Sequence, residues 1–352
     1  MPEGKNAGPV FMDDLMERVK YYIGKFTSNS LEGTRTGEVL RDVTGSTGKM
    51  IRPRLLLLCS AFGPEGPDGD DRREKCCMLA AMVEMTHMAS LIHDDIVDEA
   101  PYRRGRLSIQ NKYGKEAAVY AGDFLISRVH YWQAVEGLHE AAAVLSKTVE
   151  EMCIGEIGQA MHRYDAFMTP DRYMDNIRGK TAALFKAACT MGAMESGCDP
   201  GTVARLGQLG EYFGLIFQLR DDLLDFLSDD SSMGKKTHKD FSDGIYTLPV
   251  LLAGQTPEGE SILRGLMEEN SLRQLEEKEI SLMEETVKKA GGIDAALDRI
   301  RHYTSICRNL LDSFTEKESP EKDIPGGEAE AEDRKSRSLG MMRRMLDKFD
   351  EI

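Results

Sequence analysis

Period-two alternation of apolar and polar residues is almost missing from this chain, and its β-branched runs are short. That excludes a sheet-based fold. A basic excess is missing too: 45 Lys and Arg stand against 60 Asp and Glu, a formal charge of -15. No nucleic acid or anionic membrane surface is therefore expected as main partner, although an acidic total leaves room for a local basic pocket. The apolar stretch at residues 55–62, broken only by Ser60, is closed by Arg54 on one side and Gly63-Pro64 on the other. It is too short to cross a bilayer, so no transmembrane segment is expected. The opening text, MPEGKNAGPVFMDDLMERVK, lacks the basic-then-apolar pattern of a secretory signal. The seven cysteines (59, 76, 77, 153, 189, 198 and 307) are odd in number, form no CxxC pair and sit mostly in apolar helical text. They read as reduced, buried thiols of a cytoplasmic protein.

Helical periodicity fills the chain instead. It predicts helices over residues 11–26, 75–98, 117–134, 141–164, 181–195, 203–227 and 293–311, with turn clusters at 63–71, 197–201 and 228–240. Residues 1–10 are expected to be disordered. The text from Thr315 to Ser338, TEKESPEKDIPGGEAEAEDRKSRS, is charged, punctuated by Pro and Gly, and almost free of large apolar residues. It predicts a mobile loop at about 315–338, followed by a short amphipathic helix at 339–349. The 352 residues suffice for a core without disulfide or metal staples. The predicted fold is a single all-α domain, a bundle of helices over residues 11–352.

The chemistry begins where the 75–98 helix ends, in SLIHDDIVDE. Asp94, Asp95 and Asp98 stand at i, i+1 and i+4. At ~100° and ~1.5 Å per residue, Asp94 and Asp98 share one face, one turn apart. Like charges there repel by a few tenths of a kcal/mol, and near a helix C-terminus they oppose the dipole as well. A solvated acidic helix end would explain one such triplet. But FQLRDDLLDF repeats the spacing with Asp221, Asp222 and Asp225, again behind a long apolar helix. All-oxygen ligands without His or Cys indicate a hard cation, Mg²⁺ or Mn²⁺, with coordination positions left for substrate phosphate. The two triplets are expected as opposite walls of a cleft that holds a diphosphate through bridging metals.

Such a site also needs direct cationic contacts. GSTGKMIRPR places Lys49 and Arg52 after a Gly-rich turn, and PYRRGR places Arg103 and Arg104 just past the first triplet. Lys180-Thr181 and Gly234-Lys235 supply two more candidates. Each alone reads as a surface charge; their position around the acidic triplets in an acidic protein marks them out. His87, two turns before Asp94 on an apolar helix, reads by default as a satisfied core histidine.

Taken together, GKMIRPRLLLL, EMTHMASLIHDDIVDEAPYRRG, YAGDFLISR, GEIGQ, GKTAALF, FQLRDDLLDF, GKKTHKDF and DGIYTLPV resemble the trans-isoprenyl diphosphate synthases, also called polyprenyl synthetases. The match runs over about residues 11–252, and its flavour is closest to bacterial medium- and long-chain enzymes. The resemblance implies the isoprenoid synthase fold, helices around a deep central cavity, usually as a homodimer. It implies head-to-tail condensation of an allylic diphosphate with isopentenyl diphosphate, with Mg²⁺ (three per site) or Mn²⁺ as cofactor. Carried over residue by residue, Asp94, Asp98 and Asp221 would bind metal, supported by Asp95, Asp222 and Asp225. Lys49, Arg52, His87 and Arg104 would hold isopentenyl diphosphate. Arg103, Lys180, Thr181, Gln218 and Lys235 would hold the allylic diphosphate.

The physics agrees with that carry-over. Ionising the allylic C–O bond builds charge on the leaving diphosphate, where metal and fixed Lys/Arg donors lower the barrier. The isopentenyl group must not ionise, so cationic side chains without metal suit its diphosphate. The chain departs from the family's pattern at His238, where a Gly is common, and at Ile245, where many relatives carry a Lys. A terpene cyclase would have no use for GKxxR with RRG, and its second motif usually contains Asn with Ser or Thr. A squalene-type synthase usually carries DxxxD motifs, and a noncatalytic subunit tends to lose its acidic ones. A metal phosphohydrolase needs several ligating His, and the second triplet has none. The predicted product is geranylgeranyl diphosphate or longer. Counting turns back from Asp94 along the helix gives Ser90 and Ala89, then Thr86, as the walls met by the growing chain. All three are small, whereas a large aromatic at the first turn stops growth at fifteen carbons in the resembling family.

Overall fold

The computed structural model describes residues 9–28, 31, 33–45, 48–64, 69–227, 239–315 and 326–350. Helices α1 (Pro9–Thr27), α2 (Arg35–Thr44), α3 (Ile51–Ser60) and α4 (Gly69–Val97) come first. A two-stranded antiparallel hairpin, β1 (Tyr102–Arg103) with β2 (Arg106–Leu107), interrupts them. There follow α5 (Ile109–Tyr113), α6 (Lys115–Val135), α7 (His139–Met161), α8 (Pro170–Ile177), a π-helical turn over Arg178–Ala182, α9 (Ala183–Glu195) and α10 (Pro200–Leu227). The last are α11 (Lys239–Ser242), α12 (Leu248–Ala253), α13 (Glu260–Asn270), α14 (Glu277–Lys289), α15 (Gly292–Asp312) and α16 (Gly326–Asp350). The all-α expectation holds: among the described residues the hairpin is the whole of the strand content.

Packing divides the chain into two compact units, one formed by 1–147, 187–207 and 321–341, the other by 148–186, 208–320 and 342–352. In the first unit α4 is the centre, with α1, α3 and α6 packed on it. Leu79 to Thr86 is buried at every position, which is why this stretch reads as apolar all round instead of amphipathic. By length and composition α4 could cross a membrane, which counting uninterrupted apolar runs did not show. Yet 72% of its apolar window is buried inside the protein, as in the core helix of a globular fold. In the second unit α12 packs on α15, α14 and α8, around Leu251, Met283, Val287, Ala296 and Ile300.

Two expectations need correcting. The stretch 326–338 is helix, the first half of α16. Large apolar residues are scarce there, but Ala, Glu, Lys and Arg favour helix, and Arg337 pairs with Asp333 one turn back. Residues 316–325 of the expected loop, and 1–8 of the expected disordered terminus, lie outside the described residues. The cysteines are all unpaired, but Cys153 is exposed and Cys198 partly so. Among helices not expected from the sequence, α2 and α8 are strongly amphipathic, burying Leu40 and Val43, and Tyr173, Met174 and Ile177.

Candidate active site

The first aspartate triplet closes α4. Asp95, 4% exposed, turns inward, and Arg103 of β1 places both Nε and Nη2 2.7 Å from its Oδ1. Asp94 is half-buried and Asp98 exposed. Gln110 of α5 donates to the backbone oxygens of Asp95 and Ala100, and Ser108 Oγ donates to Ala100 at 2.7 Å. These donors satisfy carbonyls that a helix end would otherwise leave open. The acidic C-terminus, unfavourable against the dipole, is thereby braced.

The RRGR text makes the hairpin. Arg104 and Gly105 are its two central residues, with φ of +51° and +75°, as a two-residue turn of type I′ requires. The turn lays the Arg104 guanidinium over the segment that precedes α3: a Cβ on Gly48 would lie 2.3 Å from Arg104 Nη2. Lys49 is exposed in that segment, and Arg52 is half-buried in the first turn of α3. Arg52 and Arg104 both act electrostatically on His87 and Glu84 of α4. Burial, followed by Arg52, Arg104 and Arg103, holds the His87 pKa down at about 2, so its imidazole is neutral. Burial raises the Glu84 carboxyl, and the two arginines partly offset it. The structure thus brings Arg52, Arg103 and Arg104 to His87, whereas the resemblance implied Arg52, His87 and Arg104 for one diphosphate and Arg103 for the other. A cavity of about 440 Å³ lies beside them, lined by Arg103, Arg104, Arg106, Lys112 and the apolar Met88, Leu91 and Ile92.

The second triplet lies on α10 in the other unit. Asp221 is exposed, whereas Asp222 is 8% exposed. Burial raises the Asp222 carboxyl to about 7, against the opposing pull of hydrogen bonds from Tyr173 and Gln218. Gln218 Nε2 donates to Asp222 Oδ1 at 2.7 Å, and Tyr173 of α8 donates to Oδ2. Thr181 donates in turn to Gln218 Oε1 at 2.7 Å. Lys180 and Thr181 sit on the π-helical turn, where one extra residue widens the helix, a feature common at functional sites. Lys180 Nζ is 3.0 Å from Glu156 Oε2. The turn comes close because residue 155 is Gly: a Cβ there would lie 2.5 Å from the Lys180 amide nitrogen.

Asp95 and Asp222 are therefore held by protein donors, while Asp98 and Asp221 face solvent. Among the described residues no group of three His, Cys, Asp or Glu forms a ready metal cage. Ala89 and Thr86 are fully buried on α4, and Ser90 is half-buried. The side chain of Asp225 and all of Lys235 and His238 lie outside the described residues. Sequence reasoning missed Glu84, Glu156 and Tyr173. Glu84 was visible as the lone acid in MVEMTHM, and Glu156 stood in GEIGQ without a role; nothing local marked Tyr173.

The comparisons agree with this geometry. The polyprenyl synthetase family model matches residues 34–283. Heptaprenyl diphosphate synthase component 2 of Geobacillus stearothermophilus is 34% identical over 278 residues, 79% of this chain and 83% of that protein. Among solved structures, a decaprenyl diphosphate synthase from Rhodobacter capsulatus superposes with a TM-score of 0.80 at 26% identity, covering 97% of each chain. A polyprenyl synthase from Caulobacter crescentus, complexed with calcium and isoprenyl diphosphate, gives a TM-score of 0.73 at 26% identity, covering 96% of this chain and 98% of that one. With both aspartate triplets and the basic arms present in the order of that family, the chain belongs to the polyprenyl synthetases, prenyltransferases of the all-α isoprenoid synthase fold.

Proposed function

We propose that the chain condenses an allylic diphosphate with isopentenyl diphosphate, head to tail, and releases geranylgeranyl or a longer polyprenyl diphosphate. The observation that carries this reading is the contrast between the two basic arms. Around His87 the donors are Arg52 and Arg104, with the neutral imidazole able to donate a hydrogen bond. This is a grip for a diphosphate that must stay intact, so we assign it, with Lys49, to isopentenyl diphosphate. On the other unit Lys180, Thr181 and Gln218 stand beside the second triplet, where charge on a leaving diphosphate would be stabilised; we assign them to the allylic substrate. Arg103, held by Asp95, and Lys235 belong to the same assignment.

Asp94, Asp98 and Asp221 are the carboxylates assigned to Mg²⁺, three ions per site. Bound there, the metal would neutralise the leaving diphosphate as the C–O bond ionises. The solvent-facing Asp98 and Asp221 fit an ion that shares its shell with substrate. Ser90, Ala89 and Thr86 are assigned to product length. Homodimerisation and a cytoplasmic location complete the proposal.

The test is incubation of the purified chain with labelled isopentenyl diphosphate, farnesyl diphosphate and Mg²⁺, with products resolved by chromatography. Products longer than fifteen carbons, abolished by EDTA, are expected. Activity that survives EDTA contradicts the metal assignment, and farnesyl diphosphate left unused contradicts the chain-length one. A second reading is favoured by the relative named component 2: this chain would then work with another subunit. Condensation by the chain alone decides against it.

A further inference from the structure

Tyr173 has no part in the assignments above, yet its side chain ends at the second aspartate triplet. The residue is 5% exposed, on α8, and its hydroxyl donates to Asp222 Oδ2. The other carboxylate oxygen accepts from Gln218 Nε2 at 2.7 Å. Both Asp222 oxygens accept, one from each donor, and this fixes which end of the Gln218 amide faces the carboxyl. The Gln218 carbonyl is thereby turned toward Thr181, whose hydroxyl donates to it at 2.7 Å. One amide hydrogen of Gln218 is used on Asp222, which leaves the second for a ligand oxygen. Each member of this chain has its direction set by the one before it, and Tyr173 is the first.

We propose that Tyr173 is a positioning residue for the allylic diphosphate grip, setting Gln218 and Thr181 through Asp222. The inference rests on the functional reading above and deepens it. Asp222 then serves as a latch between the α10 helix and the π-helical turn, with both its oxygens committed to protein donors. Tyr173 touches no reacting atom; its hydroxyl keeps Asp222 from rotating and Gln218 from flipping.

Tyr173→Phe keeps the ring and removes the hydroxyl alone. A lost hydrogen bond to a buried carboxyl corresponds to about ten-fold in an equilibrium constant. Tyr173→Phe should therefore raise the KM for the allylic diphosphate about ten-fold. The KM for isopentenyl diphosphate should stay within about two-fold, and Tm within a few degrees. A purely structural role would move Tm and both KM values together. Asp222→Asn should show the same selective loss, and the double variant should lose less than the two singles combined, because both act on one chain of bonds. If Tyr173→Phe fails to fold, Asp222→Asn decides: an unchanged allylic KM there overturns the inference. A wild type that condenses, with Tyr173→Phe matching it in both KM values, overturns the role of Tyr173 alone. A wild type that neither condenses nor binds farnesyl thiodiphosphate overturns the functional reading, and this role with it.

Discussion

Gly48 makes room for the side chain of Arg104, one of the residues assigned to isopentenyl diphosphate. The Arg104 guanidinium occupies the space that a side chain at Gly48 would fill, 2.3 Å from the position of its Cβ. Gly48→Ala should push Arg104 aside and raise the KM for isopentenyl diphosphate several-fold, leaving the allylic KM close to wild type. Equal rises in steady-state kinetics would contradict the division of the basic arms. His87 carries a pH prediction. Its folded pKa is about 2, against 6.5 for an ordinary histidine. Below pH 6.5 the unfolded chain takes up a proton there and the folded chain does not. The contribution of His87 is therefore complete above that pH and declines as pH falls. Gln is neutral throughout, so between pH 7 and pH 5 His87→Gln should lose about 1–2 kcal/mol less stability than wild type. Urea unfolding at the two pH values measures it; parallel losses would show that the imidazole is protonated in the folded protein.

At the scale of the element, α4 combines a buried body with an acidic end. Its middle turns pack on α3 and α6, and its last turn carries the aspartates braced by Arg103, Gln110 and Ser108. Burial distinguishes the chain-length candidates, as spacing could not. Ala89 is fully buried, so Ala89→Phe should overpack the helix at a cost of about 1–3 kcal/mol, besides any effect on the product. Ser90 is half-buried. Ser90→Phe should shorten the products toward fifteen carbons with little loss of Tm, read by chromatography and thermal unfolding. An unchanged product distribution would remove Ser90 from the assignment. The second triplet depends in the same way on an element that no period in the sequence revealed, the π-helical turn over Arg178–Ala182.

Across the whole molecule, apolar surface is left exposed in ordered stripes. On α6, Tyr120, Tyr131 and Val135 are 72%, 53% and 55% exposed and share one helical face. On α7, Ile154, Ile157 and Met161 form another stripe at i, i+3 and i+7. Exposed apolar groups in such order mark interaction surfaces. Sedimentation should return twice the chain mass, and Tyr120→Glu combined with Val135→Glu should return the monomer. A wild-type monomer at micromolar concentration would contradict the homodimer.

The sequence alone determined the all-α class, because period-two alternation is almost absent and the apolar segments run over many helical turns. It also placed the carboxylates, since DDxxD fixes which of them share a helix face whatever lies around them. Burial and long-range contact were decided by the tertiary structure. Asp94 and Asp95 are neighbours in the same text, yet Arg103 holds Asp95 inside. Tyr173 and Asp222 lie far apart in sequence and share a hydrogen bond that no local pattern encodes. The first half of α16 forms although it has almost no large apolar residues, because propensity and ion pairs extend a helix that packing starts elsewhere. Spacing along a helix is a property of the local chain; the partner of a buried polar group is a property of the fold.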